Sequence, residues 1–503
     1  MASEIRVNKI NSQTGVGTIT LSPTGVDISG ITTVSTLKVG TGLTASEDGD
    51  VFFTGVCTAT TFTGSGANLT NLPAANLTGT LPAISGANLT GIAATDNVRT
   101  GILDVAGIAT FRNDVNIGAA VTISESGIEA SGIGITVANI NGAQIGGRRN
   151  IIINGAMAVA QRGTSSTGSG YFTVDRFQVV SSATDEAPTQ AQVNVIDGTP
   201  YELGFRKCLK LTNGNQTGGA GATDTIKIQY AVEAQDMATC GWHHDDANNF
   251  VTLSFWVRSS VAQNFYGSLV SSDGTALMYP FETGSLSANT WTKIIKTIPG
   301  NASLAFDNDE GNGLEFRLFQ YLGTDYTNNS VSNDAWAGYG NPQTKVQTTT
   351  WYTTNDATFE LTGVQLEVGS QVTPFEHRSF NEELLLCKRY FNMIGDGALG
   401  AGTAMSDGFL WNSSGTELDF MYTFPVQMRT TPSIYQVTGG NYFKILGGGL
   451  SNTTYVDGNF NIQYASKIAT SQYATMDTAG TIGRSCHITI NNTLTKYGYQ
   501  AEL

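Results

Sequence analysis

The residues of this chain that could do chemistry are few: one acidic turn, two aromatic loops and a pair of adjacent histidines. DNDEGNG (Asp307 to Gly313) crowds Asp307, Asp309 and Glu310 into a turn that Gly311 and Gly313 permit. Hard cations such as calcium take oxygen shells of this kind. Counted from Asp307, the twelfth position is Leu318 rather than Glu, which excludes an EF-hand. Two readings follow, a structural calcium on Asp307, Asp309 and Glu310 or a plain acidic turn between strands, and no other cofactor is implied. Trp336 and Tyr339 lie in the glycine-rich stretch NDAWAGYGNPQT, and Trp411 with Asn412 in a second polar loop. An exposed ring there would stack on a sugar face while amides satisfy hydroxyls. The competing reading folds the loop aromatics back over the edge of a core. Trp256 and Trp291 fall inside strand patterns and read as core.

The remaining candidates fail on context. His243, His244, Asp245 and Asp246 are neighbours on an extended stretch, where successive side chains point opposite ways, so they read as a solvated loop. Glycosidic cleavage needs two carboxylates across a cleft, and nothing places Glu233 with Asp236, or Glu382 with Glu383, across one. GDGALG (Gly395 to Gly400) fits a dinucleotide-binding pattern but reads as following a helix with none after it, which is the wrong setting. No zinc-protease, nucleophile-elbow or phosphate-loop motif occurs. The chain therefore reads as non-enzymatic.

The 503 residues carry a net charge of -15, which argues against nucleic-acid binding. Only 13% are charged, against about 25% in typical domains. With 40% hydrophobic residues the chain is nevertheless not composed like a disordered one. No run of 18 apolar residues exists, so no membrane span is expected. The start MASEIRVNKI lacks the apolar core of a secretory signal, which leads to an expectation of synthesis in a cytoplasm. Five scattered cysteines read as free, mostly buried thiols.

The elements that must position these residues are strands. Residues 1–146 hold glycine-punctuated echoes starting at Gly30, Gly55 and Gly107, and GSGANLTNLP is answered by ISGANLTGIA. Ile19 and Leu21, Val26 and Ile28, Leu37 and Val39 alternate with polar residues. This region reads as an elongated β shaft or attachment region whose units cannot bury their own apolar faces, which predicts a homotrimer or another parallel oligomer. A loose tether is the alternative for Gly64 to Gly91. After GGRRN, at Gly146 to Asn150, aromatics and longer strands appear. FVTLSFWVRSS, WTKIIKTIPG, LEFRLFQYLG and ATFELTGVQLEVG predict a jelly-roll-like antiparallel β-sandwich over 147–378. Ser379 and Glu382 form a capping box that opens a helix over 380–392, with Phe380, Leu384, Cys387 and Phe391 on one face. Residues 379–503 are that linking helix and a C-terminal β domain, and the chain as a whole is all-β.

Several ordered segments resemble bacteriophage tail-fibre and related virion structural proteins. In the sandwich these are RRNIIINGAMAVAQRGTSS, YFTVDRF, VTLSFWVRSS and LTGVQLEVGSQVTPFEHRS; later come LCKRYF, TFPVQMRTTPSI and the terminal AEL. ASEIRVNKI through TATTFTGSGANLTNLP is similar to the start of fibre-like proteins of phages that infect cyanobacteria. The resemblance implies a virion protein, made in the host cytoplasm, that joins other tail or capsid proteins through its N-terminal region. The loop aromatics and amides, on the domains beyond the shaft, add the expectation of multivalent attachment to a host cell-surface glycan. The alternatives are a head fibre or baseplate component without receptor contact, and a glycan depolymerase. The resemblance carries no catalytic set.

Overall fold

The computed structural model describes residues 9–11, 18–29, 36–46, 48–61, 63, 149–450, 454–456 and 458–503. The expected shaft from Gly64 to Gly91, the echo at Gly107 and the boundary at residues 146 and 147 lie outside them. The chain divides into two compact units, Met1–Val121 and Thr122–Leu503.

In the first unit Thr18–Ser22 pairs antiparallel with Gly25–Ser29 and with Lys9–Asn11. Its register sets Ile19 against Ile28 and Leu21 against Val26, the residues whose alternation marks both segments as strands. Thr36–Val39, Leu43–Ser46 and Val51–Phe53 form a second three-stranded sheet. Two residues join Thr18–Ser22 to Gly25–Ser29, and three join Thr36–Val39 to Leu43–Ser46, where Gly40 takes a positive φ of 58°.

The second unit opens with two facing six-stranded antiparallel sheets, the sandwich the sequence predicts. One runs Thr292–Pro299, Phe250–Ser259, Thr358–Val368, Lys207–Thr212, Thr189–Asn194, Ser165–Ser166. The other runs Ala337–Gly338, Leu277–Ser285, Asn264–Ser271, Asn312–Leu322, Thr225–Glu233, Gln178–Ser182. Alternation decides what each face does. Val251, Leu253, Phe255 and Val257 point into one core with Phe281, Phe316 and Leu361. Trp256, one residue out of phase, is on the outer face and half-buried. Trp291 is also half-buried, with the Arg258 guanidinium 4.9 Å from its ring centroid. Neither tryptophan is core as the strand pattern suggested: Trp256 shares the phase of Ser254 and Arg258, not that of Phe255 and Val257.

The helix is shorter than expected. The capping box forms as read, with Ser379 accepting from the Glu382 amide and Glu382 from the Ser379 amide. The helix runs only Phe380–Cys387, and Phe391 starts a strand instead of continuing the apolar face. Cys387 and Leu384 do pack in a small cluster with Ile153 and Tyr390, while Phe380 is exposed. Beyond the helix, Phe391–Asp396, Lys496–Gln500 and Ser433–Val437 make a three-stranded sheet. A seven-stranded antiparallel sheet, from Thr454–Val456 at one edge to Asn461–Ala465 at the other, completes the all-β architecture. Its core contains Leu418, Phe420, Phe443, Ile488, Tyr497 and Tyr499.

Charge holds these two parts together. The Glu233 carboxylate, fully buried, takes hydrogen bonds from Arg389 Nε at 2.6 Å, Arg389 Nη2 at 2.7 Å and Gln235 Nε2 at 2.6 Å. Tyr390 also donates its hydroxyl to that carboxylate. Burial alone would raise the Glu233 pKa, but the bonds from Arg389 and Tyr390 hold it below the usual carboxylate range. The carboxylate of Glu502, in the terminal AEL, pairs with Arg162 at 3.1 Å and Arg176 at 2.9 Å. Arg429 donates to the Ala501 and Glu502 carbonyls and, in the sandwich, to that of Glu310.

Candidate functional site

The sites the sequence singled out are distributed rather than gathered. Glu310 turns away from its acidic neighbours and pairs with Lys467 of the C-terminal domain at 2.5 Å. Asp309 caps its own turn by accepting from the Gly311 amide at 2.8 Å. Asp307 is exposed, and its amide donates to Asp273. Among the described residues no three acid, histidine or cysteine side chains converge as a metal site. In this structure the turn is engaged within the chain, with the Glu310 carboxylate on Lys467 and that of Asp309 on its own turn.

Trp336 is half-buried against the sandwich core, its Nε1 donating to the Pro299 carbonyl at 2.7 Å and its ring edge-on to Tyr279 at 5.3 Å. Tyr339 is 42% exposed and its hydroxyl accepts from Arg317 Nη1 at 3.0 Å. Trp411 is 63% exposed on the hairpin after Ala404–Leu410, beside Phe409. Asn412 Oδ1 closes that hairpin by accepting from the Thr416 amide at 3.0 Å and the Glu417 amide at 3.2 Å. Trp336 and Tyr339 thus belong to a sandwich loop and Trp411 and Asn412 to a hairpin of the C-terminal domain. GDGALG begins on the last two residues of the strand Phe391–Asp396, not after a helix as the sequence suggested, and its Gly397–Leu399 form a 3-10 turn followed by a strand.

A different place gathers aromatic and polar groups. On the outer face of the Phe250–Ser259 sheet lies a groove of about 400 Å³, within the roughly 300–1,000 Å³ of small-molecule sites. Trp256, Ser254 and Lys293 rise from its strands, Leu203 and Phe205 flank it, and the segment Val372 to Phe375 with His377 lies along it. That segment is held by the sheet itself. The Thr373 amide donates to Glu367 Oε1 at 2.9 Å, its hydroxyl to Glu367 Oε2 at 2.5 Å, and the Glu376 amide to Gln365 Oε1 at 2.8 Å. Arg149 Nη1 braces the Thr373 hydroxyl at 2.9 Å. Across the groove, His377 Nε2 meets the Leu203 carbonyl at 3.0 Å, and Phe205, Phe375 and His377 form a ring cluster with centroids 4.9 to 5.0 Å apart.

Gly363 keeps the groove open. The strand bulges here, with φ 65°, and a Cβ would sit 2.8 Å from Phe205 Cζ and 3.1 Å from Trp256 Cδ1. Lys293 is the register partner of Trp256, so its stem starts beside the indole. Partial burial lowers the Lys293 pKa, and the charge of Glu367 opposes that shift. Among the described residues no Asp or Glu side chain lines the groove. Sequence reading missed this site. The legible signal was a tryptophan in the polar phase of an otherwise apolar strand; the contribution of Val372 to His377 needed the fold.

No protein-family model matches the chain, and no curated protein matches it. Solved structures to which it is similar include tailspike protein 4 of bacteriophage CBA120, in its enzymatically active domain. That match has 9% identity and a TM-score of 0.24, covering 44% of this chain and 21% of the tailspike chain. The family 11 carbohydrate-binding module of Clostridium thermocellum matches at 10% identity and TM-score 0.19, over 42% of this chain and 98% of that one. A family 30 carbohydrate-binding module matches at 10% identity and TM-score 0.20, over 44% and 89%. The chain spans about a fifth of the tailspike it matches. Among the described residues no helix is long and apolar enough to cross a membrane.

Proposed function

We propose that this protein is a structural component of a virion, a tail-fibre-like subunit that attaches to host cell-surface glycan without cleaving it. The observation that carries the glycan reading is the groove: half-buried Trp256 and Phe375 at its walls, hydroxyl and amine groups among them, and a glycine where a side chain would fill it. Rings supply stacking surface for a sugar face while the polar groups satisfy its hydroxyls. Cleavage would need two carboxylates across the sugar, and the lining supplies none. Oligomerisation fits the first unit, where Val39, Val51, Phe52 and Phe53 are each about half exposed or more on short sheets. A partner copy would cover them, and several copies would multiply weak single contacts. The virion setting rests on the sequence resemblance.

The test is binding of the full-length protein to a printed array of oligosaccharides, beside Trp256→Ala. Retention on one glycan class by the wild type, lost in the variant at an unchanged melting temperature, supports the reading. An array without retention, or retention indifferent to Trp256→Ala, overturns it. Release of shorter oligosaccharides on incubation would make the protein an enzyme.

A further inference from the structure

We infer that the groove takes an acidic saccharide, its carboxylate or sulfate seated on the Lys293 ammonium while the sugar ring lies against Trp256. The inference rests on the glycan reading of the groove and narrows its ligand class.

Other basic side chains near the groove are engaged. Arg258, on the same sheet face as Trp256, is spent on Glu360 at 2.5 Å and Asp197 at 3.0 Å. Arg149 is tied to Thr373 and His377 to the Leu203 carbonyl. Lys296, on the same strand as Lys293, pairs with Asp334 at 3.2 Å. Lys293 has no ion-pair or hydrogen-bond partner among the described residues, although it is half-buried. Its nearest charge influence is Glu367, which is 1% exposed and whose oxygens already accept from Thr373 and Gln365. The groove is therefore lined by a half-buried lysine that has no hydrogen-bond or ion-pair partner among the described residues and feels only the charge of Glu367. Three N–H donors of such a group are best used by an anionic acceptor, because charge-assisted hydrogen bonds are roughly twice as strong as neutral ones.

Geometry limits where the anion goes. Trp256 and Lys293 are directly opposed across paired strands, so their Cβ atoms stand about 4.5–5.5 Å apart. A pyranose stacked on the indole would bring a ring substituent, rather than a distant residue of the chain, to the ammonium. No lining carboxylate repels that anion. The net charge of -15 repels anions at long range, but salt screens this over about 8–10 Å.

The experiment uses the full-length protein on an array printed with neutral, uronate-bearing and sulfated oligosaccharides. Lys293→Met, Lys293→Arg and Trp256→Ala are run beside the wild type, with melting temperatures recorded for each. Wild-type retention on an acidic arm, weakened by added salt, supports the inference. Lys293→Met should lower that affinity roughly ten- to hundredfold, and Lys293→Arg should restore most of it. Which arm retains the protein distinguishes carboxylate from sulfate. Retention on neutral sugars that needs Trp256 but is unchanged in Lys293→Met overturns the acidic inference and leaves the groove reading standing. Retention on no arm, or retention independent of Trp256, overturns both.

Discussion

Asp175 shows how a single buried group sets a pH response. Its carboxyl is 1% exposed and accepts from the Gln161 amide at 3.0 Å and Gln161 Nε2 at 2.5 Å. Burial pushes its pKa up to about 6, with Arg162 pulling the other way. In an unfolded chain an Asp titrates near 3.9. Between these values the folded state holds the proton more tightly, so this group's contribution to stability falls as pH rises from about 4 to about 6 and is level above that. Asp175→Asn removes the fall. Its melting temperature relative to wild type should therefore improve on going from pH 4.5 to pH 7, which thermal melts at the two pH values check. Glu233, with its lowered pKa, loses stability in the opposite direction as pH falls, but it does so in both proteins and cancels from the comparison. Gly363 gives a second test at this scale. Gly363→Ala forces a left-handed φ on a side-chain-bearing residue and drives a methyl into Phe205. It should cost roughly 1 kcal/mol or more and abolish glycan retention, read by melting and by the array.

At the scale of elements, the helix Phe380–Cys387 is short enough that its cap matters. Ser379→Ala removes one half of the reciprocal capping box, and should cost about 1 kcal/mol in chemical denaturation. A Ser379→Asp variant, which caps equally well, should keep wild-type stability. The helix matters because it delivers Arg389 and Tyr390 to Glu233. Glu233→Gln leaves Arg389 facing a neutral partner. Since Arg389 stays 26% exposed, the loss should fall at about 3 kcal/mol, the low end for breaking a buried pair. The segment Val372 to His377 is the other decisive element. It carries two groove aromatics, and it stays in place through hydrogen bonds to Glu367 and Gln365 rather than through strand pairing.

At the scale of the molecule, the sandwich and the C-terminal β domain share buried charge pairs and the terminal residues Ala501 and Glu502. Thr122–Leu503 should therefore unfold in one transition, whereas a chain cut after Cys387 would leave Glu233 without Arg389. Calorimetry showing two separated transitions within this unit would count against that coupling. The first unit carries the prediction of assembly. Phe52 is 60% exposed on a strand whose three residues are all exposed. A homotrimer or another parallel oligomer would cover such a face. The mass of the full-length protein in near-neutral buffer should be a multiple of 53.1 kDa, and a monomeric mass would refute it.

What depends on neighbours along the chain was legible in the residues alone. Alternation marked the strands around Ile19 and Ile28 and the main sandwich strands, and the capping box marked where the helix starts. These are local or period-two effects, set by backbone geometry and by which face must be dry. Where the helix ends was not legible, because Arg389 and Tyr390 leave it for a carboxylate 156 and 157 residues away. Trp256 could have been assigned to the outer face from its phase, but nothing local says that Phe375 and His377 come to meet it. Nothing near Glu310 in the sequence says that Lys467, 157 residues on, comes to pair with it. Only the tertiary structure decided these points, because each is a partnership between residues far apart in sequence. Burial and charge pairing there are properties of the assembled surface, which no spacing in the chain records.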